Sequence, residues 1–130
     1  MFKVVLMLLV ISVFYILQLG NVITYDESYT YFTYAHNPLV ALIHYTRPNN
    51  HQFHSLLVWF STTFIGDSTV AIRIPVYLSA MLTLSYVYQL GKRFYNAQVA
   101  WVAVIILASQ PLLVQYATEA RGYMVSMLRT

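Results

Sequence analysis

From Val4 to Tyr25 the chain carries no charge. At about 1.5 Å per residue this run covers roughly 33 Å of helix, enough for a hydrocarbon core about 30 Å thick. Lys3 stands just before it. A cleaved signal peptide is the competing reading, but the run is long for such an apolar region and no small-residue cleavage site follows. The next apolar stretch, Ser55 to Gly66, reaches only roughly 18 Å as a helix, too short to span. A third runs from Ile74 to Gly91, between Arg73 and Lys92, with Ala71 and Ile72 just before it. Arg73 is expected at the outer interface, its long stem letting the charge snorkel to water. A fourth runs from Val99 to Thr118, with Pro111 expected to kink it. Beyond Gly122, Tyr123 to Leu128 opens a further apolar stretch.

The short segment decides the topology. If it does not span, Lys3 and the pair Lys92/Arg93 share one side, which the positive-inside rule makes cytoplasmic. The pattern therefore predicts an all-α, polytopic membrane protein. Its spans fall at about 4–25, 70–91 and 99–118, and a fourth begins near 122. Residues 26–68 form one outer loop with short interfacial helices over 26–37 and 51–66. Gly66-Asp67-Ser68 turns the chain into the second span. The N-terminus lies in the cytoplasm of a cell (inner) membrane, and any chemistry is outside. Asp26, Glu27 and Glu119, three of the four acids, collect in that outer layer with the histidines.

Composition agrees. The chain of 130 residues is 59% hydrophobic and 8% charged, where soluble domains carry about 25% charge. Mean hydropathy is +0.62. The formal net charge of +3 comes from scattered residues, so no nucleic-acid surface is expected. The absence of cysteine removes disulfides and thiolate metal sites.

Two polar stretches carry candidate chemistry. Thr24-Tyr25-Asp26-Glu27 fits a capping box, which accounts for Glu27 as a helix-start residue, a role Gln would also serve. The alternative is a general base at the membrane surface, with Asp26 free to face substrate and Glu27 as scaffold. Tyr25, Tyr29, Tyr31, Phe32 and Tyr34 read as an aromatic belt. His51 and His54, at i and i+3, share a helix face. As metal ligands they lack a third partner in the sequence, so helix capping or phosphate contacts fit them better. Arg47 precedes them across a Pro48-Asn49-Asn50 turn. Glu119-Ala120-Arg121-Gly122-Tyr123 is either an interfacial anchor or an anion grip. On a helix Glu119 and Arg121 do not face each other, so each is expected to find a separate partner, and Arg121 suits a phosphate.

In order, Asp26-Glu27, then NNHQFHSLL, GDSTVAIRIP, GKRF and SQPLLVQYATEARGYM resemble the start of a GT-C glycosyltransferase. The likeness is to bacterial relatives of protein O-mannosyltransferases and the lipid A aminoarabinose transferase. Those relatives carry D-E, then a G-x-S/E-x-x-A-x-R-x-P stretch, then E-A-R-x-Y. Here these fall on Asp26-Glu27, on Gly66 through Ala71 with Arg73 and Pro75, and on Glu119-Ala120-Arg121 with Tyr123. The resemblance implies a multi-pass enzyme that takes sugar from a polyprenyl-phosphate donor to a glycan, lipid or protein acceptor. It also implies Asp26 as catalytic acid or base and Arg121 as a phosphate contact. Members run to several hundred residues, so this sequence is expected to be an N-terminal part of one, inactive alone. No cofactor is readable, and a divalent cation remains open. The rival class is a small non-enzymatic membrane subunit or transporter fragment, which predicts ionisable groups along the spans.

Overall fold

The computed structural model describes residues 2–43 and 51–127. All regular structure among them is helical: α1 Phe2–Leu19, α2 Tyr25–Thr30 continuing into a π-helical turn Tyr31–Ala35, α3 Pro38–Ile43, α4 Gln52–Ile65, α5 Thr69–Phe94, α6 Ala97–Ala108, α7 Pro111–Thr118 and α8 Tyr123–Met127. The long helix α5 is the axis, and α1, α4, α6, α7 and α8 all pack on it. It starts where Ser68 accepts a hydrogen bond from Ala71 N at 3.1 Å, an N-cap that supplies one of the partners a helix start lacks. Gly66, at φ 105°, makes the turn out of α4, a backbone region that disfavours a side chain. Among the described residues α5 alone is long and apolar enough to cross a membrane, and α6 with α7 pass only as a pair bent by 70°.

Three expectations change here. The first helix stops at Leu19 rather than Tyr25, because the carbonyls of Leu19, Asn21 and Val22 turn onto the Arg73 guanidinium. Second, Pro111 does not kink a continuous helix. It occupies the first turn of a new one, where its fixed φ and missing N–H cost nothing. Ser109 and Gln110 form the break, and the Tyr15 hydroxyl donates to the freed Ala108 carbonyl at 3.0 Å. Third, Tyr31 and Tyr34 leave the aromatic belt for the interior, whereas Tyr25 and Phe32 stay exposed. The Tyr31 hydroxyl donates to Asp67 at 2.5 Å, tying the π-helical turn to the α4–α5 corner.

The apolar interior has two parts. The larger joins Tyr15 of α1, Val76, Ala80 and Leu84 of α5, Val104 of α6, Ala117 of α7 and Met124 of α8. The smaller gathers Tyr31, Ala35, Val58, Ile72 and Ala120. This second cluster holds the π-helical turn, α4, the first turn of α5 and the α7–α8 connection together.

Candidate functional site

Adjacent in sequence, Asp26 and Glu27 end in different environments. Glu27 is fully buried and meets Arg73, which is also buried. Arg73 Nε donates to Glu27 Oε1 and Nη2 to Oε2, both at 2.8 Å. Its other N–H groups go to the carbonyls of Leu19, Asn21 and Val22 at 2.9 to 3.1 Å. All five guanidinium donors are thereby used. Glu27 Oε2 also accepts from Thr24 N at 2.8 Å and the Thr24 hydroxyl at 3.0 Å. Glu27 Oε1 accepts from Ala120 N at 2.6 Å. Burial raises the pKa of Glu27, but the hydrogen bonds from Arg73, Thr24 and Ala120 outweigh it and hold the carboxyl below its ordinary 4.5. This residue closes the capping box and fastens α5 and the Ala120 loop to the end of α1. It presents no oxygen to a substrate. Arg73 does not snorkel to water as expected, because its charge is answered internally by Glu27.

Asp26 points the other way, with its side chain 42% exposed. Arg121 Nη2 approaches its Oδ2 at 3.3 Å, and Arg121 Nε lies 3.1 Å from Glu119 Oε2. Glu119 and Arg121 therefore do face each other, contrary to the helical expectation. Helix α7 ends at Thr118, and the backbone between them makes a tight turn, Arg121 N donating to Glu119 O at 2.7 Å. The second Glu119 oxygen accepts from Gln115 Nε2 at 3.0 Å.

Asp26, Thr30, His51, Arg121, Gly122 and Tyr123 line one small pocket. The His51 ring stands edge-on to Tyr123, with centroids 5.2 Å apart, and burial lowers its pKa. Gly122 is required: a Cβ there would overlap the His51 side chain. A larger cleft of about 1010 Å³ between α4 and α5 shares His51 and Gly122 with this pocket and has mostly apolar walls, among them Leu57, Phe60, Phe64 and Leu78. The two spaces together suit an amphiphile with an anionic end.

His54 does not line the small pocket but stands in the wall of the larger cleft. It is buried, and its Nε2 lies 3.1 Å from the Ala120 carbonyl. A carbonyl only accepts, so Nε2 carries the proton. Burial pushes its pKa down to about 4. No three His, Asp or Glu side chains converge among the described residues. Arg47 and its turn lie outside the described residues.

The profile of the dolichyl-phosphate-mannose-protein mannosyltransferase family matches residues 51–128. The chain belongs to that family. It is accordingly a glycosyltransferase-family chain of the GT-C type, from a family of membrane proteins. No curated protein and no solved structure matches it. The mannosyltransferase match takes in His51, His54, Arg73, Glu119, Arg121 and Tyr123 and begins after Asp26 and Glu27. The Glu27–Arg73 clasp, absent from the sequence reading, joins the unmatched part to the matched part. One signal could have found it: an arginine followed by a long uncharged helix needs a buried counter-charge once it is not at the surface.

Proposed function

We propose that this chain forms the acid-bearing layer of an enzyme that transfers a sugar from a polyprenyl-phosphate donor to an acceptor hydroxyl or amine on the outer face of the membrane. The observation that carries this reading is the meeting of Asp26 and Arg121 at 3.3 Å in a pocket that adjoins the apolar cleft. Asp26 takes the proton from the acceptor. The acceptor oxygen or nitrogen bonds to sugar C1 as the C1–O bond to the lipid phosphate breaks. Arg121 stabilises the charge on the departing phosphate. His51 and Tyr123 wall the head-group space, Glu119 aims Arg121, and Glu27 holds the frame. Donor phosphate draws Arg121 away from Asp26, which leaves the carboxylate unpaired beside the acceptor.

A proton path through a non-enzymatic subunit has less support. The buried charges at Glu27 and Arg73 are closed by hydrogen bonds on every side rather than strung along a span. The test is transfer of labelled mannose from a short-chain polyprenyl-phosphate-mannose by the full-length enzyme that carries this sequence, in detergent. Transfer that falls at least about tenfold in Arg121→Lys through weaker donor binding, by loss of the bidentate grip, supports the reading. Unchanged transfer in Arg121→Lys and Arg121→Ala contradicts it. Reporter fusions at Asn96 should place that loop in the cytoplasm.

A further inference from the structure

The connection between α7 and α8 is gripped at one residue from two sides. Ala120 N donates to Glu27 Oε1 at 2.6 Å, and Ala120 O accepts from His54 Nε2 at 3.1 Å. Arg121 N donates to Glu119 O at 2.7 Å. Both peptide planes flanking Ala120 thus have their N–H and C=O engaged. The residues they carry are Glu119 and Arg121, the two charges on this loop. The gripping side chains come from α2 and α4, and both are fully buried.

Stability alone accounts poorly for a histidine here. Among the described residues its Nδ1 is buried with no hydrogen-bond partner, and leaving a buried polar atom unpaired costs at least as much as one hydrogen bond contributes. An apolar side chain at position 54 would fill the same space without that cost. What an apolar side chain cannot do is hold the Ala120 carbonyl. That carbonyl belongs to the peptide that carries Arg121 N, so its direction fixes the plane from which the Arg121 side chain leaves toward Asp26.

We propose that His54 is a positioning residue for sugar transfer: through the Ala120 carbonyl it sets the direction in which Arg121 enters the Asp26 pocket, and hence the affinity for donor phosphate. This rests on the reading of Arg121 as the phosphate contact. A displacement of about 1 Å in such a group costs up to roughly 100-fold.

Two amides of similar chemistry separate positioning from bulk stability. Gln at 54 places its NH₂ near the Nε2 position and can donate to Ala120 O, whereas Asn ends near Nδ1 and falls short. The measurements are binding of polyprenyl phosphate alone, KM and kcat for polyprenyl-phosphate-mannose, and thermal unfolding, all on the full-length enzyme that carries this sequence, in detergent. His54→Asn is expected to weaken lipid-phosphate binding and raise donor KM about tenfold or more, with kcat changed less. His54→Gln should stay within about threefold of the parent. Equal effects of the two amides, or KM values that follow the unfolding temperature alone, overturn the proposal. So does failure of both amide variants to accumulate folded, which would make His54 a scaffold residue. Arg121→Ala distinguishes the two layers. If it leaves polyprenyl-phosphate binding intact, the reading of Arg121 is wrong. If it weakens binding while His54→Asn does not, only the positioning role fails.

Discussion

Two of the acid–arginine pairs among the described residues, Glu27–Arg73 and Asp26–Arg121, differ in almost every physical respect. Glu27–Arg73 is bidentate and dry, with every donor and acceptor used. Asp26–Arg121 is a single, longer contact at 3.3 Å between side chains 42% and 29% exposed. The first has no capacity for another partner. The second can be opened by any ligand that offers a better anion or takes a proton. Neighbouring carboxylates become scaffold and candidate base because one residue of helical rotation, about 100°, separates their directions.

The largest effect is expected at the dry pair. A helix cap alone would tolerate Glu27→Gln, but Arg73 does not, since the change leaves a buried cation with a neutral partner. That typically costs ~3–5 kcal/mol, so the variant should unfold far earlier than the parent in a detergent melt. Replacing both partners with apolar residues should recover much of the loss, because it removes the uncompensated charge. A Glu27→Gln melt that matches the parent would remove the distinction between the pairs.

Acid should act on the same region in two stages. His54 has its pKa lowered from 6.5 to about 4, so between those values the unfolded chain binds a proton that the native chain refuses. Stability should be level above pH 6.5 and fall as pH drops toward 4, by up to about 3 kcal/mol from this group. His51, also lowered, acts in the same direction. Glu27 is lowered from 4.5. Its contribution is present above that value and lost as pH falls through its lower native value. His54→Gln should shrink the upper stage and leave the lower one. Gly122→Ala is expected to cost about 1–3 kcal/mol by overpacking against His51, read as a lower melting temperature and weaker lipid-phosphate binding. Asp26→Asn should alter stability least, by under about 1 kcal/mol, as expected for an exposed pair.

Much of the frame was legible from local pattern. Helix α4 over Gln52–Ile65, the Gly66-Asp67-Ser68 turn and the start of α5 follow from apolar runs and short-range turn chemistry, which neighbouring residues decide. The helix start at Tyr25 was readable from Thr24 and Glu27 for the same reason. What was not legible depends on distance in sequence. Glu27 and Arg73 are 46 residues apart, and Ala120 meets Glu27 from 93 residues away. Nothing in the spacing of either stretch names the other. Tyr31 and Tyr34 were misplaced because an aromatic run at an interface and one against a neighbouring helix have the same composition. The break at Ser109–Gln110 was underestimated because Pro111 permits both a kink and a new helix start, and the Tyr15 hydroxyl that meets the freed carbonyl lies in a distant helix.

The central claim is that the two acids have separate roles, and one paired measurement reaches it most directly. Thermal unfolding and single-turnover mannose transfer from polyprenyl-phosphate-mannose would be recorded side by side for Asp26→Asn and Glu27→Gln in the full-length enzyme that carries this sequence. Loss of a general base costs about 10²–10⁴-fold, so Asp26→Asn should melt like the parent and lose turnover by that factor. Glu27→Gln should melt early, and whatever fraction remains folded should still transfer sugar. A folded, active Asp26→Asn beside a folded but inactive Glu27→Gln would contradict the account and exchange the two roles.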